Sequence, residues 1–337
     1  MMPVTPDIII RPLGRDDAEM VAEFLNPTFT SIAYNLPMNE ALAREFIFEP
    51  GPLTLFPVRW QRHMHLGAWR ARQLVGFLDA ATGLDSDRQT SPDYEPVGLL
   101  RFLALPERAD LIEPVGIALI QAAERFWLDV GTRHIQAFHL STGYPTFQAG
   151  AGVLPNEWVA HFRLLTMTGY VLRQRYQRFV RQLGQMIEEE VPRADVSIAL
   201  SGNRNDRSYQ IYHRRIDRIG GGQVIGVQSQ QVERLAPEQE LDPRPATPAP
   251  NQLDVLDEKP VRVAHVTNLY IEEAWRGQNI GKWMLRRMIN DATIQGYDQM
   301  IAYLPQGQHV AWSLLTQQGF VETNYRGYSM DKVLQGF

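Results

Sequence analysis

The sequence contains no cysteine. That excludes disulfides, thiolate-bound metals and a cysteine nucleophile, so any thiol chemistry must be supplied by a bound small molecule. Long apolar runs are missing too. The start, MMPVTPDIIIRPL, holds only Ile8 to Ile10 before Arg11, and no stretch approaches the ~18 residues of a membrane span. A cytoplasmic protein that does not engage the membrane is expected. There is no excess of positive charge: 33 basic against 38 acidic side chains leave a net charge of −5, which argues against nucleic acid as a partner. What is present is a globular composition, 44% hydrophobic and 21% charged, which excludes a largely disordered chain. The 337 residues suit two domains at roughly 150 residues each.

Self-similarity supports the same division. LLTMTGYV at Leu164–Val171 matches LLTQQGFV at Leu314–Val321, an offset of 150. Gly116 and Gly131 lie 15 apart, as do Gly281 and Gly296, at a displacement of 165, and Ile135, Ala137 and Phe138 then stand opposite Met300, Ala302 and Tyr303. The change from 165 to 150 places 15 extra residues in the first copy's LSTGYPTFQAGAGVLPNEW, against LPQGQ in the second. Loops absorb such insertions most cheaply. The expectation is two copies of one α/β (α+β) fold, residues 1–184 and 185–337.

Periodicity fills in each copy. Met284, Met288 and Ala292, with Leu285 and Ile289, form one apolar helical stripe that Gly296 stops; Val115, Leu119 and Ala123, with Ile120 and Trp127, form another that Gly131 stops. Each stripe sits between strand-like segments, VGLLRFLAL and HIQAFHL in the first copy, RVAHVTNLYI and QMIAYL in the second. Strand, crossover helix and strand imply a parallel pair. Hairpins are expected from HLGAWRA with QLVGFLDAA, and from SYQIYHRRIDRI with GQVIGVQSQQV on either side of Gly220 to Gly222. The first copy opens with IIIRPL and the helix DDAEMVAEFLN, whereas the second has only VSIALSGNRNDR, so its opening helices are missing. The Pro- and acid-rich stretch at about 235–260 reads as a mobile loop.

The chemistry is expected in LYIEEAWRGQNIGKWML, Leu269 to Leu285, where a strand enters a helix through an Arg-Gly turn. Amides at a helix start lack internal partners and face the positive dipole end, which favours a phosphate. Gly277 and Gly281 permit close approach, Asn279 tolerates a left-handed conformation, and Arg276 and Lys282 add charge. On these residues alone an ordinary capped turn is the other reading.

The segment resembles the general N-acetyltransferase (GNAT) superfamily, whose acyl-CoA motif is Arg/Gln-x-x-Gly-x-Gly/Ala after a hydrophobic strand. Arg276, Gly277, Gln278, Asn279, Ile280 and Gly281 match it, with Asn279 where glycine is usual. AWSLLTQQGFVETNYRGY, Ala311 to Tyr328, is similar to the family's closing helix and last strand. The likeness covers about Ser208 to Leu334 and, through the repeat, extends to the first half, an arrangement similar to mycothiol synthase and other tandem GNAT enzymes. The resemblance implies acetyl-CoA as acyl donor, its pyrophosphate on amides near Gln278 to Gly281 and its pantetheine along Leu269, Tyr270 and Ile271. In the first copy the same positions are Leu111, Ile112, Glu113 and Pro114. A carboxylate repels pyrophosphate and proline offers no amide hydrogen, so the donor is expected only in the second copy.

Amine attack on a thioester needs a neutral nucleophile and then a proton for the departing thiolate. The tyrosine acid of many GNAT enzymes falls at Leu315, and the asparagine that often starts that helix at Gln308. The candidates are His265 as base, with Glu272 and the neighbouring Glu273, and Tyr325, with Tyr328 and Ser313 behind it and water as a relay. A core histidine, a solvated strand end and aromatic packing are the respective plain alternatives. His63 and His65 alternate on a strand, and with no third ligand in view no metal is expected. HRRIDR, His213 to Arg218, reads as an exposed strand edge. The function expected is transfer of an acetyl group to a primary amine of a small molecule, or of a peptide, by direct transfer. The alternative is a non-catalytic acyl-CoA-binding or interaction protein.

Overall fold

The computed structural model describes residues 7–49, 58–85, 96–193, 195–233, 253–255 and 260–335. In chain order the first half holds β1 (Ile8–Pro12), α1 (Ala18–Phe29), α2 (Glu40–Ala43), β2 (Val58–Arg70), β3 (Gln73–Asp85), β4 (Val97–Ala104), α3 (Ala109–Asp129), β5 (His134–Ala137), β6 (Leu154–Pro155), α4 (Val159–Met167) and β7 (Val171–Gln182). The second half holds β8 (Val196–Gly202), β9 (Asp206–His213), β10 (Asp217–Ser229), β11 (Gln231–Glu233), β12 (Leu253–Val255), β13 (Val261–Ile271), α5 (Ile280–Ile294), β14 (Gln299–Pro305), α6 (His309–Gln317) and β15 (Val321–Val333).

Two compact units result. Unit 1 comprises Met1–Ile32, Pro37–Arg175 and Arg326–Phe337; unit 2 comprises Ala33–Leu36 and Tyr176–Tyr325. The division at residue 184 concerns the order of repeats along the chain. In space, unit 2 takes in the end of β7, whose Tyr176–Gln182 run antiparallel to Pro305–Gln299 of β14. Unit 1 takes in the end of β15, whose Met330–Val333 run antiparallel to Ala137–His134 of β5.

Each unit is a mixed sheet flanked by helices. In unit 1 the strand order is β1-β2-β3-β4-β5 followed by the end of β15, and every residue of β4 is buried. Helix α3 buries Val115, Leu119, Ile120, Ala123 and Trp127 on this sheet, and the Trp127 indole donates to the Ala81 carbonyl at 3.0 Å. In unit 2 the order is the end of β7, then β14-β13-β10-β9-β8, with Met284, Leu285, Met288, Ile289 and Ala292 of α5 buried. The expected parallel pairs form, Gly98–Leu100 beside Ile135–Ala137 and Val263–Val266 beside Gln299–Ala302. Gly131, Gly169, Gly296 and Gly319 all adopt positive φ just after α3, α4, α5 and α6, which only glycine adopts without strain. This explains the glycine that the two matched octapeptides share, Gly169 and Gly319.

One local expectation fails. Gly220 to Gly222 lie inside β10; the hairpin turn is at Arg214–Ile216, where Arg214 and Arg215 take φ of 49° and 62°. The glycines answer to packing, since a Cβ on Gly222 would sit 2.2 Å from Met288 Cε and one on Gly220 2.8 Å from the Tyr270 carbonyl oxygen. Of the basic run, Arg214–Ile216 form the hairpin turn, while His213 ends β9 and Asp217 and Arg218 begin β10. The proline-rich stretch lies outside the described residues apart from Leu253–Val255, which pair with Gln231–Glu233. The first copy's insertion packs into the core of unit 1 through Tyr144, Phe147 and Leu154, all buried.

Candidate functional site

The site in unit 2 begins with a fault in β13. Thr267 is an extra residue between the pairs Gln223–Asn268 and Val224–Val266. The parallel ladder to β14 stops at Val266–Ala302, although β13 continues to Ile271 and β14 to Pro305. A bulge bends a strand and ends its pairing. Beyond it Leu269, Tyr270 and Ile271 have no partner in the β14 ladder, so their backbone on that side is available to a ligand.

The chain then makes a short 3-10 turn over Glu273–Trp275 and enters α5 through two left-handed residues, Gly277 (φ 77°) and Asn279 (φ 60°). Arg276 Nε donates to the Ile271 carbonyl at 3.0 Å and ties the turn to the strand end. The Trp283 amide donates to the Asn279 carbonyl at 3.0 Å, so the amides of Ile280, Gly281 and Lys282 precede the first helical bond and project from the helix end. Space is left in front of them. A Cβ on Gly277 would meet nothing within 4 Å, and one on Gly281 only Ile271 at 3.6 Å and Leu314 at 3.9 Å. The matching Gly116 of unit 1 has no such freedom, because a Cβ there would lie 2.1 Å from Leu164 Cδ2.

A brace at this turn escaped the sequence reading. Arg193 Nη1 donates to Gln278 Oε1 at 3.1 Å, its guanidinium lies 5.5 Å from the Trp275 ring, and it grips Asp195 through two bonds of 3.0 Å. The Arg193 hydrogen bonds, with help from His213, hold the Asp195 carboxyl down at about 2. No local pattern marks Arg193, which reaches the turn from before β8. At the end of β14, on the side of β7 and α6, a cavity of about 350 Å³ lies among Gln177, Leu304, Gln306, Gln308, His309 and Trp312. Gln308 stands at the N-cap position of α6, its carbonyl accepting from the Trp312 amide at 2.9 Å, with no capping bond from its side chain.

Of the candidate proton-transfer groups, two converge. His265, 2% exposed, packs edge-on to Tyr303 at 5.3 Å, and Tyr303 packs edge-on to Tyr325 at 5.8 Å. The Arg178 guanidinium lies 4.0 Å from the Tyr325 ring centre and 4.8 Å from that of Tyr34, with Nη1 3.3 Å from the Tyr303 hydroxyl. Glu272 and Glu273 stand apart, exposed at the end of β13. Tyr328 belongs to unit 1 and packs on Phe162, Ser313 accepts from Gln317 on the same helix, and Leu315 is buried in the core of unit 2. Tyr303 and Arg178 carried no signal in the sequence; both are recognisable only once β14 and β7 are paired.

Residues 246–320 match the acetyltransferase (GNAT) family. No curated protein sequence matches the chain. Three solved structures show the GNAT fold over nearly its whole length. A tandem GNAT protein from the clavulanic acid biosynthesis pathway is 11% identical, covering 98% of this chain and 100% of its own, with a TM-score of 0.62. A GCN5-related N-acetyltransferase from Sphaerobacter thermophilus is 11% identical, covering 99% and 98%, with a TM-score of 0.58. A fungal glucosamine N-acetyltransferase region is 13% identical, covering 98% of this chain and 38% of the fungal one, with a TM-score of 0.64. At such identities the likeness is one of fold.

The first GNAT-like repeat lacks the turn. Helix α3 starts at Ala109, so Leu111, Ile112, Glu113 and Pro114 are already helical and Leu111 is buried. Among the described residues, none between β4 and α3 takes a left-handed φ.

Proposed function

We propose that the protein is an acyl-CoA-dependent N-acyltransferase that moves an acetyl group from acetyl-CoA to the primary amine of a small molecule by direct transfer. The observation that carries this reading is the left-handed Gly277–Asn279 entry to α5, with open space before its unpaired amides, next to strands that part at Val266–Ala302. Arg276, Gly277, Gln278, Asn279, Ile280, Gly281 and Lys282 would hold the pyrophosphate, and Leu269, Tyr270 and Ile271 would align the pantetheine. In the reaction the amine nitrogen attacks the thioester carbonyl, the C–N bond forms, the C–S bond breaks, and the amine proton is lost as the thiolate gains one. His265 and Tyr325 are assigned to that proton traffic, with Tyr303 joining them. Glu272, exposed at the strand end, is the remaining candidate base and would act through water. A peptide amine fits the same chemistry.

The deciding experiment is free-thiol release from acetyl-CoA across a panel of small amines and short peptides, with donor binding measured by calorimetry. Binding with amine-dependent thiol release supports the reading. Binding without release for any amine would favour a non-catalytic acyl-CoA-binding protein.

A further inference from the structure

The geometry points to a divalent transition-metal site in unit 1, with His63, His65 and Asp79 as ligands and zinc as the natural occupant. His65 and Asp79 stand directly opposite each other in the β2–β3 ladder, and His63 lies two residues earlier on the same face. The three ligand atoms fall within 4.8 Å of one another, and His65 Nε2 is 3.7 Å from Asp79 Oδ1. Zinc bonds of about 2.0–2.2 Å place tetrahedral donors roughly 3.3 Å apart, so side-chain shifts of about 1 Å close the site.

The surroundings are arranged as a metal's outer shell would be. Asp79 is 0% exposed and His65 8%. Arg101 Nη1 at 2.8 Å and the Tyr144 hydroxyl at 2.6 Å both donate to Asp79 Oδ2, leaving Oδ1 without a hydrogen-bond partner among the described residues. His65 Nε2 is likewise without one, while the ring bonds to the Ile47 backbone. That bond therefore runs through Nδ1, which fixes the tautomer and turns the Nε2 lone pair toward Oδ1. Two buried acceptors facing each other across 3.7 Å repel unless a cation or a proton lies between them. His63 is half-buried and provides the way in. Arg101 keeps Asp79 monodentate, and three protein ligands leave a fourth position open. The two histidines alone did not suggest a site, because the third ligand arrives by strand register.

The test uses the full chain, stripped with a chelator and titrated with zinc in competition with a chromophoric zinc indicator, with melting temperature followed in parallel. One equivalent should bind and raise the melting temperature. His63→Gln, at the half-buried ligand, should fold normally without zinc yet weaken binding by roughly tenfold or more. His65→Gln should do the same. Failure of the wild-type chain to bind an equivalent, or wild-type affinity in a folded His63→Gln protein, would overturn the assignment.

Discussion

Thr267 and Arg101 hold the same place in two copies of one sheet. Each is the extra residue of a bulge, Thr267 opposite Gln223–Val224 and Arg101 opposite Asp79–Ala80. Each also reaches the residue at the same facing position, Thr267 Oγ1 lying 3.3 Å from Gln223 Oε1 and Arg101 Nη1 2.8 Å from Asp79 Oδ2. Unit 2 keeps a short neutral pair beside strands that part. Unit 1 has a buried ion pair joined by Tyr144 from the inserted segment, so the same bulge lies beside parting strands in one repeat and holds a buried ion pair in the other.

That conversion makes the ion pair a stability element. Arg101→Met should cost about 3–5 kcal/mol, because it strands the Asp79 carboxylate away from water. The double variant Asp79→Asn/Arg101→Met should recover part of that loss, since no charge is then left unpaired. Urea unfolding of both single variants and the double variant measures the coupling; strict additivity would show that the two residues act independently.

Gly281 offers the cleanest separation of folding from ligand binding. Its surroundings admit a methyl group at ordinary contact distance, and alanine is favoured over glycine inside a helix by about 0.5–1 kcal/mol. Gly281→Ala should therefore melt at or above the wild-type temperature while binding acetyl-CoA at least about tenfold more weakly, a loss near 1.4 kcal/mol. Asn279→Pro, which forces φ to about −65° where the chain needs 60°, should abolish binding. Calorimetric titration reads both, and unchanged affinity in Gly281→Ala would remove the donor from this turn.

The buried His265–Tyr303–Tyr325 group makes a kinetic prediction. Tyr325→Phe keeps the ring against Arg178 and removes only the hydroxyl, so as the acid it should lower kcat by roughly 10²–10⁴ with little change in KM for the donor. His265→Gln should lower kcat similarly if the ring is the base. Steady-state kinetics with the best amine of the panel decide this, and wild-type kcat in both variants would hand proton transfer to water, with Glu272→Gln as the next substitution to assay.

Much of this was legible beforehand, and the reason is local. Gly131, Gly169, Gly296 and Gly319 are demanded by backbone conformation within a few residues of their own helices, and the stripes of α3 and α5 are periodic along the chain. Gly277 and Asn279 belong to the same class. What stayed hidden depends on partners distant in sequence: Gly220–Gly222 yield to Met288 and Tyr270, Arg193 braces Gln278, and Tyr303 meets His265 through strand pairing. Asp79 joins His65 only through register.

Acid should weaken unit 1 before it reaches the carboxylates. His161 is buried, with Nε2 3.0 Å from the Leu103 carbonyl, and burial holds its ring down at about 4 from 6.5. The unfolded chain thus takes up a proton that the folded chain refuses. This contribution is complete above about pH 6.5 and is lost as the pH falls toward 4, by up to about 3 kcal/mol. Urea midpoints at several pH values across that window should fall for the wild type and less steeply for His161→Gln, which keeps an N–H donor without a titrating ring.

The swapped strand ends govern where the chain can be cut. A fragment of residues 185–337 retains β14 but loses Tyr176–Gln182, which pair with it along its whole length, and keeps Met330–Val333 without the β5 residues they pair with. It therefore presents two unpaired edges, the condition under which strands associate with other chains, and it also lacks the opening helices of the first repeat. A fragment of residues 171–325 restores the β14 partner and drops the residues of unit 1 beyond Tyr325. Expressed side by side, 185–337 should be aggregated by size-exclusion chromatography and 171–325 markedly more soluble. Equal solubility would mean that the edge of β14 is not what limits the shorter piece.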